Sequence, residues 1–160
     1  LNMPSNLLTI DHDYKTETFI ASINRRPVTK SKDALIGYQK GKCFYCRDSF
    51  DAKELEVDHF IPRDKGKELH RDLDLVWNLV VACRQCNGPK GKWHVKLPNI
   101  DSLKELNKRN EKLINSHHPL RETLIQQTGF SKDKRERFLN SVWNEAGQFM
   151  FETFEPTMKN

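Results

Sequence analysis

The apolar positions in the middle of the chain fall into two short stretches, LEVDHFI and LVWNLVVA. Aromatic residues before the first stretch, a polar turn near residues 51–53 and LEVDHFI itself suit a β-hairpin that runs from Phe44 to Ile61. Pro62 cannot donate to a sheet, so the second strand is expected to end there. A helix is predicted over residues 31–39, and the polar segment 63–74 is predicted to be a loop.

The last third of the chain has the pattern of helices. A capping box at Ser102–Glu105 starts the first of them. Pro119 can open a second helix, which Gly129 would stop. Ser131 is expected to cap a third, and the FMFETFEP tail resembles a short strand or a docking segment. The third helix has an apolar stripe that is more typical of a core than of a functional site: Phe138, Leu139, Val142, Trp143 and Ala146.

Composition and charge narrow the class of partner. The 160 residues make one domain, or one domain with a small appendage. Charged residues make up 31%, the formal net charge is +5 and the sequence pI is about 9.0, so a polyanion is the first partner to consider. A merely soluble basic protein is the alternative. No apolar run approaches the roughly 18 residues of a membrane span, and the N-terminus lacks the features of a signal peptide. The chain begins with Leu, as expected of a piece of a longer polypeptide or of a cloning scar before Met3.

All four cysteines fall in two C-x₂-C pairs, Cys43/Cys46 and Cys83/Cys86. Each tight turn can deliver two thiolates to one ion, which is the arrangement that tetrahedral Zn²⁺ prefers. The alternatives are two redox motifs, which would be unusual in so small a domain, and two disulfides in a secreted domain. We therefore predict a Cys₄ zinc site in a reducing compartment. The gap between the pairs is roughly twice that of a simple zinc ribbon.

The inserted segment contains neighbouring acid and base residues, and the motifs around it have a familiar order. The chain presents C-x₂-C, VDHFIP, WNLVVAC and a second C-x₂-C followed by N-x-x-K. This order resembles the HNH endonuclease domain of the zinc-stabilised type, over residues 43–92. The resemblance implies an α+β fold with a small ββα-metal core over residues 41–97, held by the Cys₄ zinc site. Residues 1–40 would be an N-terminal extension and residues 98–160 an α-helical addition packed on the core, so additional helices would flank the core on both sides.

The resemblance also assigns roles to four polar residues. Asp58 would be a ligand of the catalytic metal, His59 the general base that activates a water, Asn78 the residue that helps to hold the base, and Asn87 the second metal ligand. In-line displacement at phosphorus needs a base on one side and a cation on the other, so strand neighbours that point to opposite faces can flank one phosphate. The alternatives are a surface pair at a strand end, a loop anchor at Asn78, and a helix cap or a left-handed turn at Asn87. Glu56 shares the strand face of Asp58, so it either supports the site or is solvated, and solvation is the expectation.

Two metals with separate duties are expected. The thiolate site should hold one structural Zn²⁺, whereas carboxylate and amide oxygens suit one catalytic Mg²⁺ or Mn²⁺. Beside the proposed site, the stretch RQCNGPKGKWHVK is basic and contains no acidic residue. Arg84, Lys90 and Lys92 are therefore candidates to contact the phosphodiester backbone, with a solvated face as the alternative.

These inferences predict a metal-dependent DNA endonuclease. One active site implies nicking, and cleavage of both strands would require a homodimer or two successive events. The resemblance implies an effector domain or subunit of a restriction or anti-phage defence system in the prokaryotic cytoplasm. The nuclease is expected to act with a partner protein or within a longer chain, and no association with a membrane is expected. A non-catalytic zinc-containing DNA-binding module and a nuclease subunit that is inactive without its partner are the alternatives. No recognition helix stands out, so non-specific or partner-directed cutting is expected.

Overall fold

The two apolar stretches pair with each other in the computed structural model of the chain. The structure describes residues 32–91 and 96–157, and for residues 89–91 the backbone alone. Strand β1 (Leu55–His59) runs antiparallel to strand β2 (Leu79–Cys83), with His59 opposite Leu79 in the register. Most of the N-terminal extension lies outside the described residues.

The predicted hairpin from Phe44 to Ile61 is wrong in its first strand. The aromatic segment before β1 forms turns and an isolated bridge between Lys42 and Ser49 instead. Burial explains why β2 takes its place, since β2 is buried at every position and the turn segment is partly exposed. Pairing β2 with β1 therefore removes more apolar surface from water than the predicted pairing would.

Helix α1 (residues 32–38) confirms the helix predicted there over the residues described. Directly after α1, the Gln39 side chain pairs with the backbone of Val81. Its Nε2 donates to the Val81 carbonyl over 3.0 Å, and its Oε1 accepts from the Val81 N–H over 3.2 Å. These bonds satisfy backbone groups that an edge strand would otherwise expose.

The segment between the strands contains helical turns that the loop prediction missed. A 3₁₀ turn (Arg63–Lys65) and helix α2 (Gly66–Leu69) follow β1, and a 3₁₀ turn (Val76–Asn78) leads into β2. Leu69 and Leu73 are buried in the core. Their burial holds this charged segment against the sheet.

Helix α3 (Arg84–Gly91) begins immediately after β2 and packs against both strands of the hairpin. The order strand, strand, helix is the predicted ββα core, and the mixed helix and strand composition confirms the α+β class. The second cysteine pair lies at the junction of β2 and α3. The junction therefore places thiols and the start of a basic helix beside the sheet.

The C-terminal helices confirm the helical addition, with one corrected boundary. They are α4 (Ile100–Asn115), α5 (Arg121–Thr128) and α6 (Lys132–Gly147). Asn99, rather than Ser102, caps α4, because the Asn99 side chain accepts from the Ser102 N–H over 2.9 Å. An asparagine three residues earlier supplies the same cap and so lengthens the helix.

The other predicted helix signals act as expected. Gly129 ends α5 with φ 143°, a conformation that favours glycine, and Ser131 caps α6 by accepting from the Lys134 N–H. A buried ion pair joins α6 to α4, with Nε of Arg135 2.8 Å from Oε1 of Glu111. The predicted stripe of α6 faces the core: Leu139, Val142 and Ala146 are buried, and Phe138 and Trp143 are partly buried.

The tail forms the predicted short strand. Strand β4 (Glu152–Phe154) pairs in parallel with β3 (Lys96–Pro98). The indole Nε1 of Trp143 donates to the Pro98 carbonyl over 2.8 Å and ties α6 to this small sheet. None of the helices in the described residues combines the length and apolarity needed to cross a membrane.

Candidate active site and metal cluster

The four cysteines meet in one buried cluster. The first knuckle (residues 42–47) and the second knuckle (residues 83–86) bring all four Sγ atoms within 4.8 Å of one another. The Sγ atoms of Cys46 and Cys83 are 3.9 Å apart. Four sulfurs about 2.3 Å from a tetrahedral Zn²⁺ would be about 3.8 Å apart. The cluster therefore fits the predicted structural zinc in both chemistry and spacing.

The thiols of the cluster differ in acidity. Burial raises the pKa of the Cys46 thiol to about 11, and burial likewise raises the pKa of Cys86. Burial would also raise the pKa of Cys83, but hydrogen bonds from Cys86 outweigh it and place that pKa below its ordinary value. Since Zn²⁺ binds thiolates, metal binding near neutral pH must displace protons from Cys46 and Cys86.

The first knuckle also contacts Asp58. Tyr45, between the two cysteines of this knuckle, is 2% exposed, and its hydroxyl donates to Oδ2 of Asp58 over 2.7 Å. Asp58 is itself 9% exposed. A buried carboxylate needs hydrogen-bond donors, and the tyrosine supplies one. The carboxylate proposed as a metal ligand is thus held by a residue of the zinc site.

Asn87 is brought to the strand face that Asp58 occupies. Its Nδ2 donates to Oε2 of Glu56 over 3.0 Å, while Nε of Arg84 donates to Oε1 of the same carboxylate over 3.1 Å. Glu56 and Asp58 are two residues apart on β1 and share a face, about 6.6 Å apart along the strand. The Glu56 side chain is partly exposed and also contacts the amide of Asn87, so the structure favours the supporting role over the solvated one that was expected. Oδ1 is the atom of that amide that could bind a cation.

His59 points away from Asp58, towards the loop before β2. Its Nε2 lies 2.8 Å from Oδ1 of Asp74, and the His59 side chain is 24% exposed. Nη2 of Arg63 lies 3.7 Å from the other oxygen of Asp74. When a neutral imidazole donates from Nε2, its lone pair is on Nδ1. Asp74 therefore favours the tautomer in which Nδ1 is basic.

The Asn78 side chain joins the backbone segment that follows His59 to the segment that precedes Asp74. It is 0% exposed; its Nδ2 donates to the carbonyls of Ile61 and Leu73 over 2.9 and 2.8 Å, and its Oδ1 accepts from the Ile61 N–H over 2.8 Å. Ile61 lies two residues after His59, and Leu73 directly precedes Asp74. The bonds are those of a loop anchor, and the segments that Asn78 anchors carry the imidazole and its carboxylate.

The predicted nucleic-acid contacts are described in part. The Arg84 side chain is 76% exposed and pairs with Glu56. The side chain of Lys90 and the whole of Lys92 lie outside the described residues.

Two residues of the site, Asp74 and Tyr45, were not found from the sequence. Asp74 has no local signal, because it is one of several acids in a polar segment and its partner is 15 positions away. Tyr45 did carry a signal, since a buried tyrosine usually finds a hydrogen-bond partner and this one lies in a knuckle that must be buried.

The comparison with known families agrees with this geometry. The model of the HNH endonuclease family matches residues 43–92. These residues are an HNH endonuclease domain. The match spans both knuckles, β1, β2 and α3, and it confirms the resemblance inferred from the motifs. No solved structure matches the chain significantly.

The similarity to one known protein extends over a larger part of the chain than the match to the HNH family. The Septu protein PtuB of Bacillus thuringiensis is 34% identical over an alignment of 96 residues, and the alignment covers 56% of this chain and 35% of that protein. The chain thus spans about a third of the length of this relative.

Proposed function

We propose that the HNH domain is a metal-dependent DNA endonuclease. The observation that carries the proposal is the divergence of two neighbours on β1. Asp58 points to Tyr45, on the strand face that also contacts Asn87, whereas His59 points to Asp74 on the other side. A phosphodiester placed at the end of β1 would have oxygen donors on one side and a base on the other, as in-line displacement requires.

His59 acts as the general base in this proposal. A water attacks phosphorus, its proton passes to Nδ1 of His59, and the bond from phosphorus to the leaving oxygen breaks on the opposite side. Asp74 holds the Nε2–H and stabilises the imidazolium that forms. Asn78 positions this pair through the backbone segments that it anchors.

Asp58 and Asn87 are the residues that would hold the catalytic Mg²⁺ or Mn²⁺. A carboxylate and an amide oxygen are hard donors, which suits these ions better than zinc. When bound, the cation supplies positive charge to the phosphate. Glu56 supports the site by fixing the amide of Asn87, and Arg84, Lys90 and Lys92 are proposed to bind neighbouring phosphates.

A plasmid nicking assay with matched histidine variants tests the proposal. His59→Asn should lower the cleavage rate at least 100-fold, in line with the loss of a general base. His70→Asn is the control, because His70 is exposed with φ 50°, a conformation that asparagine tolerates. Cleavage should require Mg²⁺ or Mn²⁺, stop with EDTA, and be faster on DNA than on RNA. Nicking by His59→Asn as fast as by an active His70→Asn variant would refute the assignment of His59.

The same assay separates the proposed function from its two alternatives. A non-catalytic zinc-containing module would bind plasmid without nicking it, whatever residue occupies position 59. A nuclease subunit that needs a partner would be inactive alone, and the exposed Phe149 and Phe151 in the tail favour this second candidate. Nicking by the purified chain would exclude both alternatives.

We further propose that the nuclease acts in anti-phage defence, in the prokaryotic cytoplasm, with a partner protein or within a longer chain. The similarity to a Septu protein supports this role. Expression of the chain with and without His59→Asn in a phage-challenged host tests it. Protection that survives loss of His59 would contradict a nuclease mechanism of defence.

A further inference from the structure

We propose that Tyr45 couples the zinc cluster to the catalytic cation by holding the Asp58 carboxylate. The inference rests on the proposed function, because it treats Asp58 as a ligand of that cation. Tyr45 is then a positioning residue, which acts on the cation through Asp58. Nothing in the motif order predicts this role for the residue between two cysteines.

The backbone of Tyr45 is bonded to the zinc cluster. Its N–H donates to Sγ of Cys43 over 3.4 Å, and Cys46 follows directly in the chain. The thiols on both sides of Tyr45 belong to the cluster that fits Zn²⁺. Any change in the position of these sulfurs therefore changes the position of Tyr45.

The side chain of Tyr45 transmits that position to Asp58. The ring is packed edge-on against Phe44 and Phe154, with centroid distances of 5.2 Å to each. Packed on two sides, the ring directs its hydroxyl at Oδ2 of Asp58 over 2.7 Å. The tyrosine O–H is the donor of this bond, because an ionised carboxylate can only accept.

The expected effect follows from the role of hydrogen bonds to metal ligands. Loss of such a bond typically weakens metal binding about 10- to 100-fold, because the ligand is no longer held in the binding orientation. Asp58 is nearly buried, so water cannot easily replace the tyrosine hydroxyl. Conversely, a cation bound to Asp58 should strengthen zinc binding by the four cysteines, because it favours the same position of Tyr45.

Tyr45→Phe in the zinc-loaded full chain tests the coupling, because it removes the hydroxyl and keeps the ring. Tyr38→Phe is the matched control, since the Tyr38 hydroxyl donates to the Lys112 carbonyl over 2.7 Å, outside the site. We expect the dissociation constant for Mn²⁺, measured by electron paramagnetic resonance, to rise about 10- to 100-fold for Tyr45→Phe. It should be unchanged for Tyr38→Phe, and zinc content should remain one per chain in both.

A second measurement uses the wild-type chain and so does not depend on how a variant folds. Competition with a zinc-selective chelator at equilibrium should show tighter zinc binding when Mg²⁺ is present, because coupling between two sites is reciprocal. Asp58→Ala should abolish that shift. Zinc binding that does not respond to Mg²⁺ would overturn the coupling, as would Mn²⁺ binding by Tyr45→Phe within threefold of the wild type.

The same titrations keep this inference apart from the proposed nuclease site. A wild-type chain that binds Mn²⁺ no better than Asp58→Ala would remove both. A wild-type chain that binds Mn²⁺ through Asp58, and a Tyr45→Phe variant that binds it equally well, would remove the coupling alone.

Discussion

Asp74→Asn isolates the contribution of the carboxylate that holds His59. The variant keeps the size of the side chain and replaces the charged acceptor, Oδ1, which lies 2.8 Å from Nε2 of His59. The Asp74 side chain is 15% exposed, so solvent screens this contact only in part. A neutral amide can still accept from Nε2–H, but it can equally turn its NH₂ group to the ring and favour the opposite tautomer.

The size of the effect follows from the strength of that bond. Hydrogen bonds to charged groups contribute about 1.5 to 3 kcal/mol. Because about 1.36 kcal/mol corresponds to a factor of ten in rate, the cleavage rate should fall about 10- to 150-fold. DNA binding should be unchanged or slightly tighter, since the variant removes a negative charge near the phosphate. A fall in rate without a fall in affinity distinguishes the loss of base orientation from a loss of binding.

Single-turnover cleavage of a labelled duplex, with DNA affinity measured separately, provides the assay. Asp101→Asn is the control, because Asp101 is exposed at the start of α4, away from the site. Both variants should melt within a few degrees of the wild type. A cleavage rate for Asp74→Asn within twofold of the wild type would refute the role assigned to Asp74.

Three further predictions concern the zinc cluster, the buried asparagine and the exposed arginine. Cys86→Ser, or removal of zinc by a chelator, should lower the melting temperature sharply, because the metal joins both knuckles. Native mass spectrometry should find one zinc per chain, and a melting temperature independent of zinc would contradict the prediction. Asn78→Ala should lower the free energy of unfolding by about 3 kcal/mol, because buried groups of Ile61 and Leu73 lose their partners; an unchanged denaturation midpoint would contradict this. Arg84→Gln should weaken DNA binding equally for all sequences and reduce the salt dependence of log K by about 0.9 per lost phosphate contact; an unchanged slope would remove Arg84 from the interface.

The sequence by itself determined the chemistry of the domain. Paired C-x₂-C motifs predict a metal site because ligand identity and close spacing are local properties of the chain. The adjacency of Asp58 and His59 is local too, and the alternation of a strand is enough to predict that the two side chains diverge. The order of these motifs was specific enough to identify the HNH domain, which the family comparison confirms. Helix ends such as Gly129 and Ser131 were predictable for the same reason, since a cap depends on its immediate neighbours.

The tertiary structure decided which distant groups meet. The partner of β1 is the buried strand β2 and not the nearer aromatic segment, because pairing is selected by the apolar surface that the whole fold removes from water. The contact between His59 and Asp74, and that between Tyr45 and Asp58, depend on how loops return to the sheet. No local spacing encodes such a return. The candidate ligands and the candidate base could therefore be proposed from the sequence, whereas the residues that contact them became visible only in the fold.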